Sequence, residues 1–265
     1  MTEETRPAAP AEIPVPAREL MTSERLSELT FDPPVLFHGP HKPPSNRRFE
    51  GLYGGVYNRV IQSARLRKAV FSVWGSADPL YELDSFVSDA VVAARAASQA
   101  PVLVDLPSGG GTLLPFFARE GLEGTVIEVD LAAAMLRRAV ALEQGITSDL
   151  STIFLRADAL DLPLKGEIAD VVVSLNGLHV VADHRGFLEA IARITKPNGK
   201  LWLITPVDGP SLRSRAILAA ARRLGVTPVV PPTLASLHSL LDEVGFRAIR
   251  SYGGASITGL SAQRI

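Results

Sequence analysis

A short apolar run, an acid and a cluster of glycines stand together near the middle of the chain. Residues 102–105 read V-L-V-D, glycine occupies positions 109–111, and a helical pattern begins at residue 113. Glycines allow a backbone to turn sharply and to approach another group closely. In open α/β sheets, ligands bind outside the carboxyl ends of the strands, often at such a turn. The spacing predicts a nucleotide-type cofactor site, and the plainer alternative is an ordinary strand-to-helix turn.

A second acid follows these glycines at a distance typical of a ribose contact. Residues 125–130 read T-V-I-E-V-D, so a second apolar strand ends in Asp130, about 20 residues beyond the turn. Carboxylate oxygens can accept hydrogen bonds from both hydroxyls of a ribose. An acid at this place can also cap the helix predicted from residue 132, and the motif order described next favours the ribose contact.

Five motifs in order make residues 101–265 resemble the class I S-adenosylmethionine-dependent methyltransferases. The first motif of that family is D-x-G-x-G-x-G, and Asp105, Gly109 and Gly111 match it here. Pro107 replaces the first glycine. The remaining motifs match at residues 130–136, 156–163, 169–174 and 195–201. With L-D-E-V-G-F at 241–246, the pattern is similar to the small-molecule methyltransferases of ubiquinone and menaquinone biosynthesis.

The resemblance implies that S-adenosylmethionine is the cofactor, and it assigns residues to each part of that molecule. Asp105 would hold the amides of the glycine loop or the ammonium group, and Asp130 would hold the ribose. Asp158 would accept from the adenine amino group, and Leu131 would lie against the adenine face. The expected cofactor-binding residues are Asp105, Pro107, Ser108, Gly109, Gly111, Asp130, Leu131, Met135, Asp158, Ala159 and Asn176.

Methyl transfer requires an acceptor atom in line with the sulfonium methyl group, and a general base for some acceptors only. His179 lies just beyond the fourth predicted strand, and a histidine can take a proton near neutral pH. His179 and Tyr57 are therefore the candidate catalytic residues, although a structural role for the histidine fits equally well. The other candidate bases are Tyr53, Asp183 and His184. O-, N- and C-methylation all stay open.

The composition restricts the classes of partner. A net charge of −1 favours neither nucleic acid nor an acidic partner. The absence of cysteine excludes disulfides and thiolate metal sites, and it is typical of a reducing cytoplasm. No metal site is expected, because His38 and His41 lie among prolines with no further ligand nearby. We expect a cytoplasmic protein with an apolar or aromatic small-molecule acceptor, no nucleic acid and no transmembrane segment, and we leave a homodimer open.

Strands alternate with helices through the second half of the chain. The predicted strands are 102–106, 125–129, 152–155, 170–175 and 200–205, and the helices between them are 113–120, 132–142 and 185–194. This alternation predicts an α/β fold with a Rossmann-like doubly wound parallel sheet. Helices over 209–225 and 233–245 precede a final strand pair at 246–252 and 256–262. The resemblance implies seven strands in this sheet, the last of them antiparallel.

The chain divides into three predicted regions. Residues 1–45 contain nine prolines and are expected to form a flexible arm, with one short helix over 19–29. Residues 46–100 form an N-terminal helical lid region, in which a helix over 53–73 covers the acceptor pocket and presents Tyr57 to it. A second helix at 78–98 is expected to pack on the sheet. Residues 101–265 form the methyltransferase domain.

Two other interpretations fit parts of the sequence. A nicotinamide-dependent oxidoreductase shares the doubly wound sheet, but its G-x-G-x-x-G fingerprint fails because Leu114 occupies the third glycine position. None of the tyrosines is followed by lysine at the Tyr-x-x-x-Lys spacing of short-chain reductases. The second alternative is a protein that keeps the methyltransferase fold without methyl transfer, since a fold does not establish an activity.

Overall fold

The computed structural model describes residues 6–7, 13–39, 63, 65–66, 69, 79–223, 229–253 and 256–265. Within these residues, one mixed sheet of ten strands is flanked by eight helices. The strands are β1 (Arg6–Pro7), β2 (Thr30–Asp32), β3 (Val35–Phe37), β4 (Val102–Asp105), β5 (Gly124–Asp130), β6 (Leu150–Arg156), β7 (Ala169–Leu175), β8 (Thr195–Pro206), β9 (Phe246–Gly253) and β10 (Ile257–Arg264). The helices are α1 (Val15–Leu20), α2 (Ser23–Leu26), α3 (Pro79–Ala97), α4 (Leu114–Arg119), α5 (Ala133–Glu143), α6 (His184–Ile194), α7 (Leu212–Arg223) and α8 (Leu234–Glu243).

The strand order across the sheet is β1-β2-β3-β6-β5-β4-β7-β8-β10-β9. The strands from β6 to β8 in this order run parallel, whereas β10 lies antiparallel between β8 and β9. The stretch from β6 to β9 confirms the predicted Rossmann-like doubly wound sheet of seven strands with an antiparallel last strand. Because parallel strands end at one edge, the segments that follow β4, β5, β6 and β7 come together there.

Side chains alternate along each strand between two separately packed faces. Leu103 lies on the face covered by α3, α4 and α5, and Val104 lies on the face covered by α1, α6 and α8. All seven positions of β7 are buried, as expected for a parallel strand that is covered on both sides. The same alternation places the acid that ends β4, Asp105, on the face of Leu103.

The helices of the second half lie where the sequence places them. Those predicted over residues 113–120, 132–142 and 185–194 are α4, α5 and α6, and the two later helices are α7 and α8. Thr233 caps α8, because its hydroxyl accepts from the backbone N–H of Ser236. None of the helices in the described part of the chain is long and apolar enough to cross a lipid bilayer.

The N-terminal segment, which we define as residues 13–39, is an ordered part of the sheet. The expectation of a flexible arm over residues 1–45 is therefore wrong for this segment. It forms two short helices and a hairpin, and the second strand of the hairpin, β3, pairs in parallel with β6. Ala17, Met21 and Leu36 are at most 1% exposed and pack in the core.

The prolines of this segment occupy positions where no N–H donor is needed. Pro14 is the N-cap of α1, and Pro16 lies in its first turn. Residues 33–34 form the turn between β2 and β3. The single helix predicted over 19–29 is split in two, because the backbone is extended at Met21 and Thr22. High proline content therefore indicates turns and helix starts here, not a mobile chain.

The predicted lid lies almost entirely outside the described residues. Of the helix expected over residues 53–73, only residues 63, 65–66 and 69 are described, and Tyr57 is not among them. The later part of the predicted lid region, helix α3, packs on the sheet as expected, with Phe86 and Ala90 at most 1% exposed. The lid over residues 53–73 stays a prediction.

Leu36→Ala is expected to lower the free energy of unfolding by about 2–4 kcal/mol, because it leaves a cavity between β3 and the core. Urea denaturation measures the change. Val15→Ala is the matched control in the same segment, since Val15 is 58% exposed. Equal, negligible effects of both substitutions would mean that residues 13–39 do not pack on the sheet in solution.

Candidate cofactor site

The turn between β4 and α4 is fixed by backbone hydrogen bonds to both neighbouring strands. Leu106 N–H donates to Val173 O at 2.9 Å, and Ser108 N–H donates to Val129 O at 2.9 Å. Gly109 and Gly111 have φ values of +58° and +69°, in the left-handed region. A side chain at either position would therefore be strained, which explains why the sequence uses glycine there.

The two glycines differ in what surrounds them. A Cβ atom at Gly111 would lie 2.8 Å from the Cβ of Ala139, so this glycine lets α5 pack directly on the turn. A Cβ atom at Gly109 would lie 3.4 Å from the Cε of Met135, which is an ordinary contact. Within the described residues, Gly109 is thus required by its backbone conformation and not by crowding from other side chains.

Asp130 connects the turn to the next helix. Its Oδ2 accepts from Gly109 N–H at 2.9 Å, and its Oδ1 accepts from Ala132 N–H at 2.7 Å. Burial raises the pKa of Asp130 to about 6, although these two N–H groups and that of Leu131 lower it. The helix-capping role weighed for Asp130 is therefore real. Each carboxylate oxygen has a further lone pair, so it can accept a hydrogen bond from a ribose hydroxyl in addition to the one from the backbone N–H.

A further acid, which the sequence analysis does not single out, lies on the strand next to Asp105. Glu128 is in register with Asp105 on the neighbouring strand, and their side chains are 0% and 1% exposed. Among the described residues, neither carboxyl group has a hydrogen-bond partner of ordinary geometry. Burial and the charge of Asp130 raise the pKa of Asp105 well above its usual range. Burial and the charge of Asp105 do the same to the pKa of Glu128, while the Ser108 hydroxyl acts in the opposite direction.

Sequence reasoning missed Glu128, although a signal was present. The strand T-V-I-E-V-D is apolar on both sides of this glutamate, and a parallel strand of this kind is buried on both faces. An ionisable residue inside it must be buried as well, and burial of an unpaired carboxyl group is costly. Such a residue is a candidate for function on physical grounds.

The segment that follows β7 lies against the glycine turn. A Cβ atom at Gly177 would lie 2.3 Å from the Cδ of Pro107. The backbone at Gly177 is therefore too close to the Pro107 ring for a residue with a side chain. Asn176 has φ of +58°, and His179 is 8% exposed. The predicted residues Asn176 and His179 therefore share the carboxyl edge with Asp105, as the strand order requires. Sequence reasoning did not single out Gly177.

Asp183 and His184, two of the other candidate bases, lie at the start of helix α6. Asp183 is the N-cap of α6, and its Oδ1 accepts from Gly186 N–H at 2.8 Å. His184 is the first residue of that helix, and burial lowers its pKa. Their placement favours His179 over both as the group that faces an acceptor.

The segment after β6 carries the residues that the sequence analysis expects to contact an adenine base. Asp158 is exposed, and its Oδ1 accepts from Leu160 N–H at 2.9 Å within a turn. Ala159 is partly buried beside it. Since β6 is the neighbour of β5, this turn lies next to Leu131 at the same edge.

The charges of the site identify the kind of ligand it fits. Asp105, Glu128 and Asp130 put three carboxyl groups beneath a glycine turn, and a pyrophosphate would be repelled by them. A cation that also carries a ribose is attracted. These residues therefore fit S-adenosylmethionine, which has a sulfonium and an ammonium group, better than a nicotinamide dinucleotide. No cluster of three or more metal-ligating side chains occurs in the described residues.

Residues 104–203 match the family described as Methyltransferase domain. This stretch runs from β4 into β8 and contains every residue expected to bind the cofactor. Residues 104–203 are therefore similar to methyltransferase domains. This similarity agrees with the family that the five motifs predicted.

Individual relatives support the same assignment. Nocamycin O-methyltransferase of Saccharothrix syringae is 31% identical over 138 residues, which are 51% of this chain and 49% of that protein. The ubiquinone biosynthesis O-methyltransferase of Pectobacterium atrosepticum is 29% identical over 128 residues, which are 48% of this chain and 51% of that protein. The chain thus spans about half the length of the curated relatives it matches.

A solved structure gives the same fold. A SAM-dependent methyltransferase from Methanosarcina mazei superposes with a TM-score of 0.52 at 18% identity, covering 63% of this chain and 94% of that one. At this identity the similarity concerns the fold alone. It agrees with the Rossmann-like fold described above.

Glu128→Gln is expected to stabilise the protein by about 1–3 kcal/mol at pH 8 and to change nothing near pH 4. The folded chain holds the proton of Glu128 more tightly than the unfolded chain, so wild-type stability falls as the pH rises above the unfolded pKa. Glutamine has no such proton and keeps the shape. Chemical denaturation at both pH values measures the difference.

Glu123→Gln is the matched control, because Glu123 is exposed just before the same strand. It should leave stability unchanged at both pH values. If Glu128→Gln instead destabilises the protein at pH 8, the Glu128 carboxyl group is ionised and satisfied in the folded state, contrary to the description above.

Proposed function

We propose that this protein transfers a methyl group from S-adenosylmethionine to a small-molecule acceptor. The observation that carries the proposal is the glycine turn, whose Gly109 N–H donates to Asp130 close to two further buried carboxyl groups, those of Asp105 and Glu128. This arrangement offers hydrogen-bond acceptors and negative charge to a cationic nucleoside. The match of residues 104–203 to the methyltransferase domain supports the same activity.

We propose a role in cofactor binding for each group of residues at the carboxyl edge of the sheet. Asp130 accepts from the ribose hydroxyls, and Asp105 with Glu128 balances the positive charge of the cofactor. Asp158 accepts from the adenine amino group, and Leu131 covers the adenine face. Met135, beside Gly109, and Asn176, beside the glycine turn, complete the walls. When bound, the cofactor supplies an electrophilic methyl group, and the protein holds the acceptor in line with it.

His179 is the proposed general base. It lies at the carboxyl edge after β7 and is 8% exposed, so a proton taken there is shielded from bulk water. Both curated relatives named above are O-methyltransferases, which favours an acceptor hydroxyl whose proton must be removed. An imidazole with a pKa near neutrality suits that step.

Several finer expectations stay predictions. These are an apolar or aromatic acceptor, a cytoplasmic location, a homodimer, the lid over residues 53–73 and a role for Tyr57 on it. The absence of cysteine supports the location.

Gly109→Val is expected to abolish binding of S-adenosylmethionine while the protein stays folded, because valine at φ of +58° is strained and fills the ligand space. Isothermal titration calorimetry measures binding, and circular dichroism checks the fold. Wild type should bind S-adenosylmethionine and should not bind NADH. Gly145→Ala is the matched control, since a Cβ atom there meets only an ordinary contact at 3.5 Å. Normal binding by Gly109→Val would refute the proposed cofactor site.

His179→Ala is expected to lower kcat by about 100-fold or more for a phenolic acceptor, with KM for S-adenosylmethionine unchanged. The acidic limb of the wild-type pH profile should also disappear, because a general base acts only when it is deprotonated, and loss of packing alone would not cause this change. His184→Gln, a few residues further on, should retain activity. Full activity of His179→Ala would mean that water or another group removes the acceptor proton, and it would refute the proposed role of His179. Absence of turnover by wild type with every phenol, amine and carbon acid tested would favour the non-catalytic alternative.

A further inference from the structure

The N-terminal segment, residues 13–39, holds the turn that follows β6. We call residues 157–165 the adenine loop, because they contain Asp158. Thr22 N–H donates to Pro163 O at 3.2 Å, and Lys165 N–H donates to Leu20 O at 2.9 Å. The C-terminal end of the loop therefore pairs with the junction of α1 and α2 through two backbone hydrogen bonds, as neighbouring strands of a sheet do.

A polar cluster binds the middle of the same loop. Arg25 Nη2 lies 2.8 Å from Asp161 Oδ1, and Arg25 Nη1 lies 3.0 Å from Glu28 Oε2. His38, which is 3% exposed, places Nε2 3.1 Å from the same Glu28 oxygen. Asp161 N–H donates in turn to Asp158 O at 3.0 Å. Arg25 is thus two contacts away from the residue proposed to read the adenine amino group.

A buried arginine makes the third connection. Arg156 ends β6 and is 1% exposed, and its Nη1 donates to His38 O at 2.8 Å. Its Nε donates to Leu131 O at 3.3 Å. Burial lowers the pKa of Arg156, and the charge of Asp158 partly restores it. One guanidinium therefore joins the N-terminal segment to the residue proposed to cover the adenine face.

We infer that the N-terminal segment positions the adenine half of the cofactor site, through Arg25 on the adenine loop and Arg156 on Leu131. This inference rests on the proposed function, because it uses the adenine contacts assigned there. The methionine half is assigned to Asp105 and Glu128, in strands β4 and β5, which are separated from β3 by β6 in the sheet. Loss of a segment contact should consequently weaken recognition of the adenosine part and leave the rest of the site intact.

The test compares two ligands that share adenosine. S-Adenosylmethionine contains both halves, whereas 5′-methylthioadenosine lacks the amino-acid half. Arg25→Gln should weaken both by the same factor, about two- to fivefold, as expected for a partly exposed ion pair. Asp161→Asn should do the same, and the double variant should be no weaker than either single one, because all three remove one contact.

The matched control is Arg137→Gln. Arg137 Nη2 forms an ion pair at 2.6 Å with Asp32 of the same segment, but on helix α5 and away from the adenine loop. Its loss should leave both affinities unchanged. Kinetics give a second readout, since Arg25→Gln should raise KM for S-adenosylmethionine without changing kcat or KM for the acceptor.

The outcomes separate the two proposals. If wild type binds both ligands and Arg25→Gln and Asp161→Asn bind them equally well, the inference is overturned and the proposed function stands. If Arg137→Gln weakens binding as much as Arg25→Gln, the segment acts only through general stability, and the inference is again overturned. If wild type binds neither ligand, the proposed function fails and the inference falls with it.

Discussion

The carboxylate of Asp130 accepts one hydrogen bond from the glycine turn and another from Ala132, the N-cap residue of α5. These bonds hold the two elements that border the cofactor space at a fixed separation. Glycine at 109 and 111 makes the arrangement feasible, because only glycine adopts those φ values without strain and lets α5 approach. The shape of the whole carboxyl edge therefore depends on one side chain at the end of one strand.

The same edge concentrates negative charge in a place with little water. Three acids lie on one face of β4 and β5, and the neighbouring Arg156 directs its guanidinium to backbone carbonyls. Burial raises the pKa of each of these acids, so each loses its proton at a higher pH than it would in water. A cation that enters the site favours their ionised forms. Charge in this site is thus a response to the ligand as well as a means of attracting it.

Sequence reasoning recovered the sheet, the glycine turn and Asp130, because each of these depends on local spacing. It failed where contacts are distant in the chain. The three-residue strand β3 has no pattern of its own and becomes a strand only by pairing with β6, more than 100 residues later. Glu128 and Arg156 look like single charged residues in the sequence, and their importance comes from register across strands. Gly177 is explained only by the approach of Pro107, which no spacing within either segment reveals.

The position of β10 between β8 and β9 has a consequence for biosynthesis. While the chain emerges from the ribosome, β8 and β9 are made before the strand that joins them, so neither can complete its pairing. Strand β3 of the N-terminal hairpin is likewise made before its parallel partner, β6. Each of these strands therefore has an open edge until its partner is made, and unpaired edges of this kind invite association with other chains. A chaperone that covers strand edges would matter most in the intervals before β6 and before β10 are synthesised.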